Sequence, residues 1–228
     1  MVRFEPKTSL SFIPSLRHFK SSIQAIYTLK INLTPSLEEI LAGFKKSTRY
    51  DIRLAEKQDV KIEIGSKKDM GNFLELLKNT AKRARFEIYS DEYLLKMYDI
   101  LHQNGMIELL LATAENKVVG AFMIIYFQKE ATYLHSATDS DFFDYRVSQA
   151  LMWETIKRAK NKGCETLDLW GVAPENEINH PWYGFTRFKR GFAPKEPIKS
   201  YPGSYFLVLR PIIFRLYLWQ KILRGKEI

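Results

Sequence analysis

Apolar and polar residues run along this chain in two rhythms, one of strands and one of helices. Residues 23–33 (IQAIYTLKINL) carry β-branched and aromatic side chains in rough alternation, the pattern of a strand. Thr34 and Pro35 then supply an N-cap and a proline at the first helical position. Leu37, Ile40, Leu41 and Phe44 follow at i, i+3, i+4 and i+7, an apolar stripe on one helix face. The pattern carries this helix to Lys57, with Lys45, Lys46, Arg49, Arg53 and Lys57 outward. Residues 59–64 read as a short strand and 67–83 as a helix. Ser90-Asp91 opens another helix over 92–102, which Asn104-Gly105 closes. Three strands follow at 107–114, 117–127 and 131–137, the first two joined at Glu115-Asn116 by a tight hairpin turn. A helix spans 144–161, with Met152, Ile156 and Ala159 on one face, and stops at Lys162-Gly163. Residues 166–170 (TLDLW) make one more strand. Residues 1–22, broken by Pro6 and Pro14, read as irregular.

From 59 to 170 the order is β-α-α-β-β-β-α-β. An antiparallel meander, then a helix, then another strand is the order of an N-acetyltransferase-like (GNAT) fold. The expected class is therefore α/β in the broad sense (α+β), with a mixed sheet whose central antiparallel meander is flanked by helices. A fold of this kind hosts many reactions and does not choose among them.

Composition narrows the chemistry. With 46% hydrophobic and 14% aromatic residues in 228, the chain has ample material for a packed core. Lys and Arg outnumber Asp and Glu by 35 to 26, a net charge of +9. Such an excess suits polyanionic partners such as nucleic acid, phosphorylated substrates or an anionic membrane face. The single cysteine, Cys164, excludes an internal disulfide and fits a reducing compartment. With four scattered histidines and no second thiol, no metal site is expected. The start, MVRFEPKTSL, puts Glu5 and Pro6 where the apolar core of a signal peptide would run. No run of about 18 apolar residues is present. The expectation is a cytoplasmic chain.

Residues 180–194 read HPWYGFTRFKRGFAP, a dense aromatic and basic stretch. Taken alone it fits a buried loop with aromatics as packing. It also resembles the phenylalanine-lysine-x-glycine-phenylalanine signature of the Fem family of peptidoglycan-bridge aminoacyltransferases, here Phe188-Lys189-Arg190-Gly191-Phe192. Further segments resemble that family in the same order: 47–60 its linking helix, 131–141 its central strand and loop, 145–172 its helix-strand unit, and 201–217 its closing strand and C-terminal helix. Members of the family commonly carry two GNAT-like domains. On that resemblance, residues 1–57 correspond to the remnant of a first domain, a strand and linking helix. Residues 58–200 correspond to a GNAT-like domain, and 201–228 to a closing strand and C-terminal helix.

The resemblance implies transfer of an amino acid from aminoacyl-tRNA to the peptide stem of a lipid-linked muramyl-pentapeptide precursor, without a cofactor. The acceptor amine attacks the ester carbonyl, and a fixed cation or donor stabilises the charge that develops on its oxygen. Loss of one such donor costs ~3–4 kcal/mol in other enzymes. The resemblance places that role on Lys189, with Phe188 packed beside it near the substrate. It also implies precursor contacts from Arg85 and Tyr89, four residues apart and able to project together if helical. Arg83 is a rival for the arginine role. Tyr133 and His135, two apart on a strand and so on one side of the sheet, resemble substrate-lining aromatics. His135 reads either as a base for the incoming ammonium or as a packed histidine. Asp168, on a central strand, reads as structural or pocket-lining.

The basic run from Lys45 to Lys57 suits either tRNA phosphates or plain solvation. In the C-terminal segment PIIFRLYLWQKILRGK, Arg215, Lys221, Arg224 and Lys226 interrupt an apolar run, which suits packing on the protein and peripheral contact with the inner face of the plasma membrane. Two other readings stand beside the main one. An acyl-CoA-dependent N-acyltransferase needs a glycine-bearing loop around the pyrophosphate, and residues 144–150 (DYRVSQA) contain no glycine. A non-catalytic module that binds precursor or tRNA is the other, favoured by the absence of a first domain.

Overall fold

The computed structural model describes residues 2–19, 22–210, 212, 215, 216, 219 and 220. The chain begins with two short strands, Val2–Phe4 (β1) and Leu16–Phe19 (β2), followed by Tyr27–Asn32 (β3). Two helices, Leu37–Gly43 (α1) and Lys46–Lys57 (α2), lead to Lys61–Gly65 (β4). Met70–Ala84 (α3) and Asp91–Gln103 (α4) come next, then Ile107–Ala114 (β5), Lys117–Phe127 (β6) and Glu130–Thr138 (β7). Val147–Asn161 (α5), Thr166–Gly171 (β8), Tyr183–Phe192 (α6), Lys199–Ser200 (β9) and Ser204–Leu207 (β10) complete the order. Two compact units result, one of residues 29–170 and 187–196, the other of 1–28, 171–186 and 197–228.

In the larger unit the strands lie in the order β4-β5-β6-β7-β8-β3. Strands β4 to β7 are antiparallel neighbours, and β8 joins β7 in parallel. This is the GNAT-like mixed sheet that the element order implied. The hairpin turn at Glu115-Asn116 has both residues at positive φ (50° and 61°), as a two-residue turn with the strands' own twist requires. One sheet face is covered by α3 and α4: Phe73, Leu77, Leu94 and Tyr98 pack on Leu109, Ala121, Met123 and Ala137. On the other face lies α5, close enough that a Cβ on Gly120 would run into Val147. Parallel pairing of β7 with β8 covers Glu130↔Thr166, Ala131↔Leu167 and Thr132↔Asp168 and ends there. Both strands continue beyond that pair, so the sheet parts between them.

Several elements depart from the sequence expectation. The helix expected through Lys57 is two helices, and its cap is Ser36 rather than Thr34. Ser36 and Glu39 bond each other's backbone in a capping box, while Thr34 donates to Asn32. Between α1 and α2, Phe44 is extended (φ −70°, ψ 159°). That turn buries its ring edge-on against Trp153 and Phe192, at 5.7 and 5.1 Å. Arg49 is also not one of a row of solvated cations; its Nη1 donates to the carbonyls of Ala42 and Phe44 at the end of α1. The helix expected from 144 starts at Val147, preceded by a 3-10 turn at Ser140–Tyr145 and by Arg146 in the left-handed region (φ 55°). The aromatic stretch at 183–192 is a helix rather than a loop.

In the smaller unit, residues expected to be irregular form β1 and β2, which flank β10 in an antiparallel sheet. Pairing with a strand some two hundred residues away is invisible to local pattern. Glu5 ties the unit together, accepting from the N–H groups of Ile23 and Gln24 and from Ser22 and Ser204. Burial opposes its ionisation, but these bonds hold its carboxyl down to about 2. In the same unit β9 pairs with Tyr27 and Thr28. Ile212, Arg215, Leu216, Trp219 and Gln220 are helical, and Ile212, Leu216 and Trp219 are exposed. Lys221, Arg224 and Lys226 lie outside the described residues. Among the described residues no helix is long and apolar enough to cross a membrane.

Candidate functional site

The site grows from the end of α6. Phe188 and Phe192, one turn apart, meet edge-on at 5.3 Å, and Phe192 is buried against Phe44. Gly191 lets α2 come close: any Cβ here would collide with Thr48 Oγ1. The Gly191 carbonyl accepts the Lys45 N–H at 2.9 Å, just ahead of α2. Glycine and two phenylalanines thus pin the last turn of the helix, and Lys189 is carried inward between them.

Lys189 is 8% exposed. Its Nζ lies 5.6 Å from the ring centroid of Tyr133 on β7, within reach of the ring's negative face. Burial pushes the ammonium down to about 7, and the Asp168 carboxylate opposes that push. Lys189 is therefore poised between charged and neutral forms near physiological pH. Tyr133 is buried too, and burial raises its hydroxyl well above the usual range, with a Ser136 hydrogen bond opposing.

Tyr133 and His135 do not share a side of the sheet. A bulge shifts the register between them, so that Tyr133 pairs with Ile124 and His135 with Met123. Ile124 and Met123 are consecutive on β6 and point to opposite faces. Tyr133 accordingly meets Phe122, ring to ring at 4.6 Å, while His135 is turned toward the face that α3 and α4 cover. Burial pushes its imidazole down to about 4, so it is neutral at physiological pH.

Asp168 is 1% exposed, on β8 at the last pair before the strands part. Its Oδ1 accepts the Trp170 N–H at 2.8 Å, and Oδ2 lies 3.4 Å from Lys30 Nζ on β3. Lys30 also pairs with Glu130. Trp170 itself sits at φ 60°, a conformation unusual for a bulky side chain.

Beside Phe188 is a cleft of about 230 Å³ that sequence reasoning did not find, lined by Thr138, Phe142, Phe143, Arg146, Gln149 and others at the start of α5. The nearest sequence signal is the adjacent pair Phe142-Phe143, which carries no helical or strand period. Arg83 reaches this region, donating to the Thr138 carbonyl at 3.2 Å with its guanidinium over the Phe143 ring. Arg85 and Tyr89 do not project together from a helix. Arg85 ends α3 in the left-handed region (φ 55°). Tyr89 lies in the following loop, against the Tyr93 ring at 4.6 Å.

Residues 14–118 and 110–221 match the model of the FemAB family. The chain belongs to the FemAB family. Among its FemAB relatives is the lipid II:glycine glycyltransferase of Staphylococcus haemolyticus (strain JCSC1435). It is 22% identical over 235 residues, which cover 75% of this chain and 56% of the relative. The lipid II:glycine glycyltransferase of Staphylococcus aureus is 20% identical over 237 residues, with the same coverage. The chain thus spans about half the length of the curated relatives it matches. Among solved structures, FemX superposes with a TM-score of 0.83 at 17% identity, covering 94% of this chain and 73% of FemX. L-PGS from Bacillus licheniformis shares the fold at a TM-score of 0.54, 12% identity, and 89% and 65% coverage.

Proposed function

We propose that this chain carries the aminoacyl-transfer site of an enzyme that builds peptide bridges on a lipid-linked peptidoglycan precursor, with aminoacyl-tRNA as donor. The observation that carries the reading is Lys189, a buried cation on the family's signature helix, held over Tyr133 beside a cleft lined by Phe188. The names of the staphylococcal relatives supply the acceptor class.

In the step itself, an amine of the precursor peptide attacks the ester carbonyl of aminoacyl-tRNA. A C–N bond forms, and negative charge builds on the carbonyl oxygen. The ester C–O bond then breaks, the tRNA ribose hydroxyl leaves with a proton, and the acceptor nitrogen loses one. The Lys189 ammonium stabilises the oxyanion in a site from which water is largely excluded, where such a charge counts for more than in bulk water. Phe188 shapes the wall beside it. The cleft at the start of α5 offers aromatic faces from Phe142 and Phe143 for stacking a terminal base, with Arg83 and Arg146 for phosphate. Arg85 and Tyr89 remain proposed precursor contacts from the loop after α3, and His135 a proposed second-layer support of β7. Peripheral contact with an anionic membrane through the basic C-terminal segment would bring the site to a lipid-linked acceptor.

The test mixes the purified chain with radiolabelled aminoacyl-tRNA and lipid-linked muramyl-pentapeptide, with Lys189→Ala in parallel. Label transferred by wild type, and reduced at least 100-fold by Lys189→Ala, is the expected result, the loss of one charge-stabilising group at ~3–4 kcal/mol. Saturable precursor binding with no transfer would instead assign this chain a binding role. Equal transfer by both proteins would remove Lys189 from the mechanism.

A further inference from the structure

Resting on that reading, we propose that Asp168 is a positioning residue for transfer: held by Lys30 and the Trp170 N–H, its carboxylate keeps Lys189 in the cationic form that meets the developing oxyanion. A lysine sunk among aromatic rings loses its hydration and tends to shed its proton. What opposes this must be a fixed negative charge nearby, and β8 supplies one where it parts from β7. Asp168 is among the most deeply buried charged groups of the chain, at 1% exposure. A buried carboxylate is itself costly unless its oxygens are bonded. Here one oxygen takes the Trp170 N–H at 2.8 Å and the other faces Lys30 at 3.4 Å.

The surroundings make the assignment selective. On β7, Lys189 meets the ring of Tyr133, a neutral group whose hydroxyl burial keeps protonated. His135 on the same strand is neutral above about pH 4 and adds no charge. From α2, Thr48 abuts Gly191, and Asp51 is engaged by Arg146 and Gln149. On α6 itself, Arg190 bonds the Glu196 carbonyl. Asp168 is the carboxylate whose field acts on Lys189, raising an ammonium that burial otherwise lowers to about 7. Lys30 works in the opposite sense. Shared between Asp168 and Glu130, it draws off part of the negative potential that Asp168 presents to Lys189.

This arrangement makes two variants pull in opposite directions, which a purely structural role would not. Asp168→Asn keeps the acceptor for Trp170 but removes the charge. Lys30→Met removes the competing cation and leaves Asp168 in place. The Lys189 ionisation is followed directly by NMR titration of its Cε and Nζ signals, assigned with Lys189→Arg, and the pH profile of transfer is recorded beside it. The expected result is a Lys189 midpoint lowered by about one pH unit in Asp168→Asn and raised in Lys30→Met, with the falling limb of transfer moving likewise. Shifts of the same sign in both variants, no shift in either, or a moving midpoint with a stationary limb would each overturn the proposal. If Asp168→Asn does not fold, Lys30→Met decides alone, an upward shift supporting the role and an unmoved midpoint refuting it. Because the NMR midpoint needs no turnover, a chain that titrates as expected yet transfers nothing would count against the proposed function and not against the Asp168–Lys189 coupling.

Discussion

Lys189 shows how a residue serves chemistry at a cost to stability. Its ammonium is buried, and folding pulls its midpoint from 10.5 down to about 7. Between those values the unfolded chain binds a proton that the folded chain does not, so this group's contribution to stability rises with pH across that window. Below about pH 7 both states are charged, and the folded protein bears the full desolvation cost. Lys189→Met, which keeps the volume and removes the charge, is therefore expected to stabilise the protein at pH 6 by ~1–4 kcal/mol. By pH 9 the advantage narrows. Urea unfolding at both pH values reads this, and a gain that grows with pH would contradict it. Activity follows the opposite trend: if the cation is the working form, transfer by wild type falls as pH rises through about 7. A profile still rising there would point to the neutral amine. The residue itself was legible from the motif, whereas its burial and its carboxylate neighbour were not, because Asp168 and Lys30 reach it from strands far away in sequence.

At the level of elements, the signature FKRGF is a packing device as much as a chemical one. Phe188 and Phe192 fix the rotation of α6, and Gly191 permits the contact with Thr48 that seats it on α2. Gly191→Ala is expected to destabilise the fold by ~1–3 kcal/mol and to reduce transfer, since Lys189 rides on the same turn. Combining it with Thr48→Ala, which removes the colliding oxygen, is expected to recover part of the loss in a double-mutant cycle. Strictly additive costs would show that the clash is not the cause. Farther from the site, Ser36→Ala breaks the capping box of α1 and is expected to cost ~1 kcal/mol, read as a lower melting temperature. The strands and hairpin of the meander were readable because their side chains alternate and Glu115-Asn116 is a turn pair. Helix α6 was not, because two glycines and four aromatics in ten residues speak against a helix. Packing against Phe44 and α2 overrides that propensity. The bulge after Tyr133 was equally hidden, and it reversed the side to which His135 turns.

Over the whole molecule, the net charge of +9 gives a general attraction for polyanions. Lys45, Lys46, Arg53 and Lys57 are exposed around α2, while Arg49 is occupied at the end of α1. If this face touches tRNA, affinity falls log-linearly with salt. Replacing Lys46, Arg53 and Lys57 by Ala then flattens the slope by ~2–3, at roughly 0.7–0.9 per lost phosphate contact. Anisotropy titrations at several salt concentrations measure it, and an unchanged slope would mean that the face is merely solvated. Sequence alone determined the strand and helix order from residue 59 to 170, the hairpin turn, the signature around Lys189 and the excess of positive charge, because each is written in local spacing or simple composition. Tertiary structure alone decided the strands at the N-terminus, the break after α1, the register of β7 and the charge environment of Lys189. Those depend on which distant residues are brought within a few ångströms, and burial then changes what the same side chains do.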